Sequence, residues 1–364
     1  MMIASPAAEP AAVRPSEGGL AALHIVDPTT HAGWDGLLEA HSDATFFHSA
    51  AWAKTLVTAY RFQCRYIAAL EDGKMRALLP LMEAASWMRG RRGVSLPFTD
   101  ECSPLLDRRL SPDSLLQAAM HEGELRGWKY LELRGGHDRL ANLPESISFY
   151  SHVLRLDSCA ENLFAKFDSS VRRAIRKAER SGVTVECRTD LEAVRAYYRL
   201  HCRTRTKHGA PPQPFSFFRA LWEHALQRGH GFVALAIHEG RPIAAALFLQ
   251  FGGKAIYKFS ASDERFQELR GANLIIWQVV QKLVKEGFTE LNFGKTSRSN
   301  EGLRHFKRNW AADESLVHYA RYCFARRMFV KMGDLAAGVQ ARIFARMPVF
   351  LSCWIGRAVY PHMS

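Results

Sequence analysis

One order of elements occurs twice along this chain, and nothing else in the sequence restricts its fold as much. In the first half, RYIAALEDGKMRALLPLME reads as two apolar strands hinged at Asp72-Gly73, a strong hairpin signal. SPDSLLQAAMHEGELRG follows with helical spacing from a cap near Ser111, and WKYLELRGG is then a strand. In the second half, PFSFFRALWEHALQRG is a helix, and GFVALAIHEGRPIAAALFLQFGGKAIYKFS supplies strands that turn at Glu239-Gly240 and Gly252-Gly253. NLIIWQVVQKLVKEG then carries an apolar helical face, and FTELNF is a strand. The echo reaches single residues, with AALEDGK beside LAIHEGR and GWKYLEL beside GFTELNF. Two copies of one unit are expected, each with antiparallel strands, a helix and a further strand. The class is α+β, with mixed, mostly antiparallel sheets flanked by helices. A chain of 364 residues is long for one core and comfortable for two.

Ahead of the first copy, MMIASPAAEPAAVRPSEGG is rich in Ala, Pro and Ser and has no apolar h-region, so residues 1–20 read as a disordered arm. HSDATFFHSAAWAKTLVTAY then reads as an aromatic loop leading into a helix. The seven cysteines are scattered and never spaced as CxxC, which suggests neither a disulfide framework nor a zinc site and fits a reducing compartment. The chain has fifteen histidines without HExxH or a relative of it, and no metal is expected. MPVFLSCWIGRAV, near the end, falls short of the roughly 20 residues of a spanning helix. A cytoplasmic protein is expected.

The formal charge of +13 favours anionic partners. Between the two copies, KFDSSVRRAIRKAERSGV sets Val171, Ala174, Ile175 and Ala178 at helical spacing, with Asp168, Ser169 or Ser170 as cap and Gly182 as stop. Arg172, Arg173, Arg176, Lys177 and Arg180 crowd the other face and repel one another, which an anion would relieve; a solvated charged face is the plainer alternative. FGKTSRSNEGLRHFKRNW joins small residues to Lys295, Arg298, Arg304, Lys307 and Arg308, with Lys307 between Phe306 and Trp310. From about Tyr319 to Ser364, arginines alternate with aromatic and aliphatic residues; this segment can lie in the interface of an anionic membrane or pack on the protein body.

FFHSAAW, SSVRRAIRKAERSGV, RTRTKHGAPPQP, YKFSASDE and the FKRNW stretch, in that order over roughly residues 40 to 325, resemble the FemAB-like transferases. This tandem-GNAT group includes the peptidoglycan bridge-forming aminoacyltransferases, and the nearest likeness is to members associated with exopolysaccharide or PEP-CTERM/exosortase systems. The resemblance implies two GNAT-like domains, 21–157 and 158–325, the second carrying the transfer site, followed by a basic amphipathic extension, 326–364. It implies that Lys307 lies at the transferring group and that Arg172, Arg173, Arg176 and Lys177 hold acceptor phosphates, with Lys207, His208 and Arg304 as further candidates. A GNAT-type acetyl-CoA enzyme shows Q/R-x-x-G-x-G/A between strand and helix, where N–H groups and the helix dipole receive the pyrophosphate. Here QELRGAN offers Gly271, Ala272 and Asn273 for the donor but departs from that spacing. The donor is therefore left open between acyl-CoA, such as acetyl-CoA, and aminoacyl-tRNA.

Acyl transfer to an amine develops a negative oxygen, which a preorganised cation stabilises by roughly 3 to 4 kcal/mol. Lys307 is the candidate cation, and Tyr257 and Asp263 are candidate proton-transfer partners. The expected function is an N-acyl or aminoacyl transferase acting on an amine of a phosphate-bearing sugar or peptide precursor of the cell envelope, exopolysaccharide or peptidoglycan. Peripheral contact with the inner membrane face is part of that expectation. A basic tRNA-binding protein and a non-catalytic scaffold of polysaccharide assembly are the alternatives. No zinc-finger, RRM or KH pattern appears, so duplex DNA is not an expected partner.

Overall fold

The structure, a computed structural model, describes residues 22–362 except 88, 108–110, 138, 141–142, 158 and 334–346. The expected disordered arm, 1–20, and much of the expected C-terminal extension lie outside the described residues.

In the first half the strands are β1 (Leu23–Val26), β2 (Gln63–Cys64), β3 (Tyr66–Glu71), β4 (Lys74–Leu79), β5 (Met82–Ser86), β6 (Gly90–Val94), β7 (Leu105–Leu106), β8 (Tyr130–Arg134) and β9 (Ile147–Arg155). Its helices are α1 (Trp34–Glu39), α2 (Ala50–Tyr60) and α3 (Pro112–Arg126). The second half has helices α4 (Ala160–Lys166), α5 (Ser169–Arg180), α6 (Leu191–Lys207), α7 (Phe215–His224), α8 (Gly271–Lys285), α9 (Glu301–Arg308) and α10 (Val349–Val359). Its strands are β10 (Thr184–Arg188), β11 (Gly231–His238), β12 (Arg241–Phe251), β13 (Lys254–Ser262), β14 (Glu290–Ser297), β15 (Asp313–Cys323) and β16 (Met328–Phe329).

The three hairpin signals are realised as left-handed pairs: Asp72 and Gly73 have φ of 50° and 68°, Glu239 and Gly240 47° and 71°, Gly252 and Gly253 55° and 73°. Positive φ at both central residues matches the twist of the flanking strands. Ser111 caps α3 by accepting from the Asp113 N–H, and Asp168 caps α5 by accepting from the Ser170 N–H at 2.7 Å.

The two halves share one sheet. Its strand order is β10-β11-β12-β13-β14-β9-β15-β8-β6-β5-β2, with β16 beside β15, while β1-β3-β4-β7 forms a separate sheet. β9, from the first half, is inserted between β14 and β15 of the second, pairing Leu154 with Leu291 and Ser151 with Ser315. β15 in turn pairs with β8 of the first half, Ala320 opposite Leu133. The parallel pairs are β13–β14 and β6–β8; β13 and β14 are joined through α8 as a crossover.

Apolar periodicity decides which face each helix buries. Val171, Ile175 and Ala178 of α5 and Leu274, Ile275, Val279 and Leu283 of α8 pack in one core on one side of β11–β14. On the other side, Trp52, Leu56, Phe217, Phe218 and Tyr197 bring α2, α6 and α7 into a core that spans both halves. Fully burying a side chain such as Phe217 contributes about 1.5–3 kcal/mol. A third core joins β3 and β4 to α3 and β8.

Candidate functional site

β13 and β14 pair at Lys254↔Glu290, Ala255↔Leu291 and Ile256↔Asn292, and part beyond that point. There the register of β14 against β9 shifts between Asn292 and Lys295, and Gly294 adopts φ 70°. A Cβ at Gly294 would also lie 3.0 Å from Asp100 Oδ2, so both backbone and space favour glycine. The irregularity turns the carbonyls of Gly294 and Lys295 toward α9, whose Lys307 Nζ donates to them at 2.8 and 3.0 Å. Lys307 is 4% exposed, and burial pulls its ammonium down to about 8. Two of its three protons are committed to the carbonyls, leaving one for a further acceptor. The alternative of a surface lysine snorkelling over Phe306 and Trp310 does not hold, because the head group is inside.

Lys307 belongs to a buried charge cluster. Lys258 Nζ donates to Asp100 Oδ2 at 2.9 Å and lies over the Phe47 ring. Lys295 Nζ donates to Tyr319 OH at 3.0 Å, between the rings of Phe149 and Tyr319 at 4.2 and 4.7 Å, and burial pushes it down to about 8. Burial opposes ionisation of Asp100, but the ammoniums of Lys258, Lys295 and Lys307 outweigh it and hold the carboxyl below its ordinary range. Lys295 and Asp100 line a cavity of about 260 Å³ between the halves, together with Lys254, Asn292, Ser151 and Ser315.

A larger cleft, about 560 Å³, opens at the N-terminus of α8. Arg173 and Lys177 of α5 line one wall, Arg270 through Asn273 another, and Phe306 and Asn309 of the α9 end close it, while Lys307 itself is not among the lining residues. In QELRGAN, Gln267 and Ala272 occupy the first and sixth positions of the acetyl-CoA pattern, and the departure lies at the fourth, where Arg270 stands in place of the usual glycine. Arg270 adopts φ 59°, the left-handed conformation for which glycine is normally chosen. Gly271 meets Ala236 and Ile243 at 3.0 and 3.2 Å from the place of a Cβ, which seats the helix start close against the sheet. The first N–H groups of a helix lack intrahelical acceptors, so this end of α8 offers donors and positive potential to an anion.

The other sequence candidates are dispersed. Arg172 donates to the Ala165 carbonyl at 3.0 Å, and the Arg176 guanidinium lies 5.6 Å from the centroid of Phe164. Arg304 grips Glu314 through two 2.8 Å bonds and covers Tyr150 at 3.9 Å, a structural engagement. Lys207 and His208 line a separate cavity of about 410 Å³, adjoining the cleft through Ser262 and Gln267, and Lys207 pairs with Glu264. Asp263 caps the turn 264–269 and is gripped by Arg203 at 3.0 Å and Arg265 at 2.6 Å. Its hydrogen bonds from Arg265 hold its carboxyl below the ordinary range, so it is a poor proton acceptor. Tyr257 packs among Phe248 and Phe293, and burial raises its phenol. Asp100 and Lys258, 158 positions apart, carried no sequence signal linking them. Among the described residues, no group of three His, Cys, Asp or Glu could hold a metal ion.

The acetyltransferase (GNAT) domain family matches residues 165–308. The match takes in less than half of the chain and is a likeness of that stretch. The stretch contains α5, α8, the parting strands and Lys307. Over most of the chain the mixed, largely antiparallel α+β fold is shared with solved transferase structures. The crystal structure of FemX superposes with a TM-score of 0.67 at 16% identity, covering 83% of this chain and 97% of that one. L-PGS from Bacillus licheniformis gives a TM-score of 0.53 at 14% identity, covering 88% of this chain and 99% of that one. At such identities the likeness is one of fold. The search of curated proteins gives no match. The GNAT fold normally uses acyl-CoA.

Proposed function

We propose that the chain is an N-acyltransferase that moves an acyl or aminoacyl group onto an amine of a phosphate-bearing cell-envelope precursor, a peptidoglycan or exopolysaccharide building block. The observation that carries this reading is the Lys307 ammonium, buried where β13 and β14 part, held by two carbonyls and left with one uncommitted proton. A fixed cation in a site of low water content is suited to the negative oxygen of acyl transfer and needs no reorganisation to act. In that transfer the amine nitrogen bonds to the carbonyl carbon, the bond to the carrier breaks, and the amine gives up a proton.

The residues present fit an acyl-CoA donor: Gly271, Ala272 and Asn273 would meet the pyrophosphate with backbone N–H groups, and Arg173, Lys177 and Arg270 would balance its charge. Aminoacyl-tRNA is the other donor class, supported by the net charge of +13. The cavity between the halves, lined by Lys254 and Lys295, suits an acceptor that brings a carboxylate or phosphate near its amine. The setting proposed is the cytoplasm.

The test offers acetyl-CoA and aminoacyl-tRNA in parallel to the purified protein, reading the thermal midpoint and retained small molecules by mass spectrometry. A midpoint rise with one of them assigns the donor class. No rise with either, and no transfer to any amine, would leave a scaffold without catalysis.

A further inference from the structure

The apolar side chains left in water are concentrated at one end of the molecule. Among the described residues, seven large hydrophobics are exposed, and five of them, Trp87, Leu125, Met328, Leu351 and Trp354, belong to elements that meet there. Trp87, 86% exposed, stands at the tip of the β5–β6 hairpin. Its ring lies 6.4 Å from that of His362, in the short turn Tyr360–His362 that follows α10. α10 packs its Ser352 and Gly356 inward, Gly356 against the Pro212 carbonyl, and turns Leu351 and Trp354 outward at helical spacing. A helix that presents tryptophan and leucine to solvent after burying its small residues has an unpartnered face.

Cations surround this end. Arg89 and Arg91 flank the Trp87 tip; Arg91 reaches the Arg126 carbonyl at the end of α3, the helix turn that carries Leu125. Lys129 follows, its N–H bonded to the Arg91 carbonyl and its own carbonyl to the Phe324 N–H, which brings in the exposed Arg326, Arg327 and Met328 at the β15–β16 turn. Arg357 is exposed on α10. Of the acidic neighbours, Glu83 is buried and shared by Arg126 and Arg91, while Glu124 is exposed.

We propose that this end docks on an anionic lipid bilayer. Tryptophan favours the boundary between headgroups and acyl chains, arginine and lysine are drawn to an anionic leaflet, and the two kinds of side chain are interleaved here on projecting tips rather than in a groove. The charge of +13 acts in the same sense. No helix among the described residues is long and apolar enough to cross a membrane, so the contact is peripheral. The proposal uses none of the residues argued for the transfer and does not depend on the transfer reading.

The experiment is flotation of the full chain with vesicles of phosphatidylcholine alone and of equal parts phosphatidylcholine and phosphatidylglycerol. Binding to the anionic vesicles, a blue shift of tryptophan emission and weakening at high salt are expected. The variant Trp87→Ala/Trp354→Ala removes only exposed side chains, keeps the thermal midpoint, and should lower the partition by about tenfold or more. Arg326→Glu/Arg327→Glu should weaken binding to anionic vesicles alone. Wild-type protein left unbound by anionic vesicles overturns the proposal, as does a double tryptophan variant that floats like wild type. Self-association lost in that variant, or tRNA binding lost in it without vesicle binding, would reassign the surface and equally overturn the proposal.

Discussion

Replacing Lys307 with Met keeps the length of the side chain and removes its charge, and the structure sets the size of the effect. The ammonium has three protons, of which the carbonyls of Gly294 and Lys295 take two. If the third meets the developing oxyanion, its loss costs roughly 3 to 4 kcal/mol of transition-state stabilisation, a fall in kcat of about a hundredfold to a thousandfold. KM for the acceptor should change little, because the contact is made chiefly in the transition state. The pH profile is a second, independent reading. Only the ammonium form has the positive charge and a third N–H beyond the two given to the carbonyls, so wild-type kcat should fall as pH rises through about 8. Stability moves in the opposite direction. The unfolded chain keeps this proton up to the ordinary 10.5 while the folded chain releases it near 8, so folding gains as pH rises across that window, by about 3 kcal/mol at about 1.4 kcal/mol per pH unit. In the Met variant two buried carbonyls lose their donor, at about 1–3 kcal/mol each, so urea titration must accompany the kinetics to correct for the folded fraction. A folded variant turning over within threefold of wild type would refute the reasoning and leave Lys307 as a stitch between α9 and β14.

Arg173→Ala/Lys177→Ala should weaken binding of the donor by about tenfold and flatten its salt dependence without altering the thermal midpoint, as titration calorimetry at two salt concentrations would show. Glu132 is 3% exposed between Arg134, at 2.7 Å, and Arg321, whose guanidiniums overcome burial and hold its carboxyl at about 2. Glu132→Gln should lose about 3–5 kcal/mol in urea at pH 7. The folded value lies below that of the unfolded chain, so the wild-type advantage is complete above the ordinary glutamate range and disappears as pH falls through about 2.

Local patterns were legible wherever a short segment settles its own conformation. The hairpins at Asp72-Gly73 and Glu239-Gly240, the caps at Ser111 and Asp168 and the apolar stripe of α5 all depend on neighbours within a turn or two, and the structure has them as read. The resemblance also brought out Lys307, which the fold buries. The charge cluster was not legible, because Asp100 meets Lys258 only when a loop of one half is laid against a strand of the other. The local partners of the basic residues were not legible either: Arg172, Arg176 and Arg304 meet a carbonyl, a ring and a carboxylate, which composition cannot foresee. The left-handed turn before α8 was not legible, because Arg270 occupies a conformation usually reserved for glycine.

The insertion of β9 between β14 and β15 has a consequence for how this chain can be cut. A fragment limited to the matched residues 165–308 would strip β14 of its neighbour and leave a raw ladder of amide and carbonyl groups beside Lys307, a template for aggregation. Removing β15 would likewise open the first half along β8. Neither half is a module to be exchanged by itself, because each closes the other's sheet with a strand of its own.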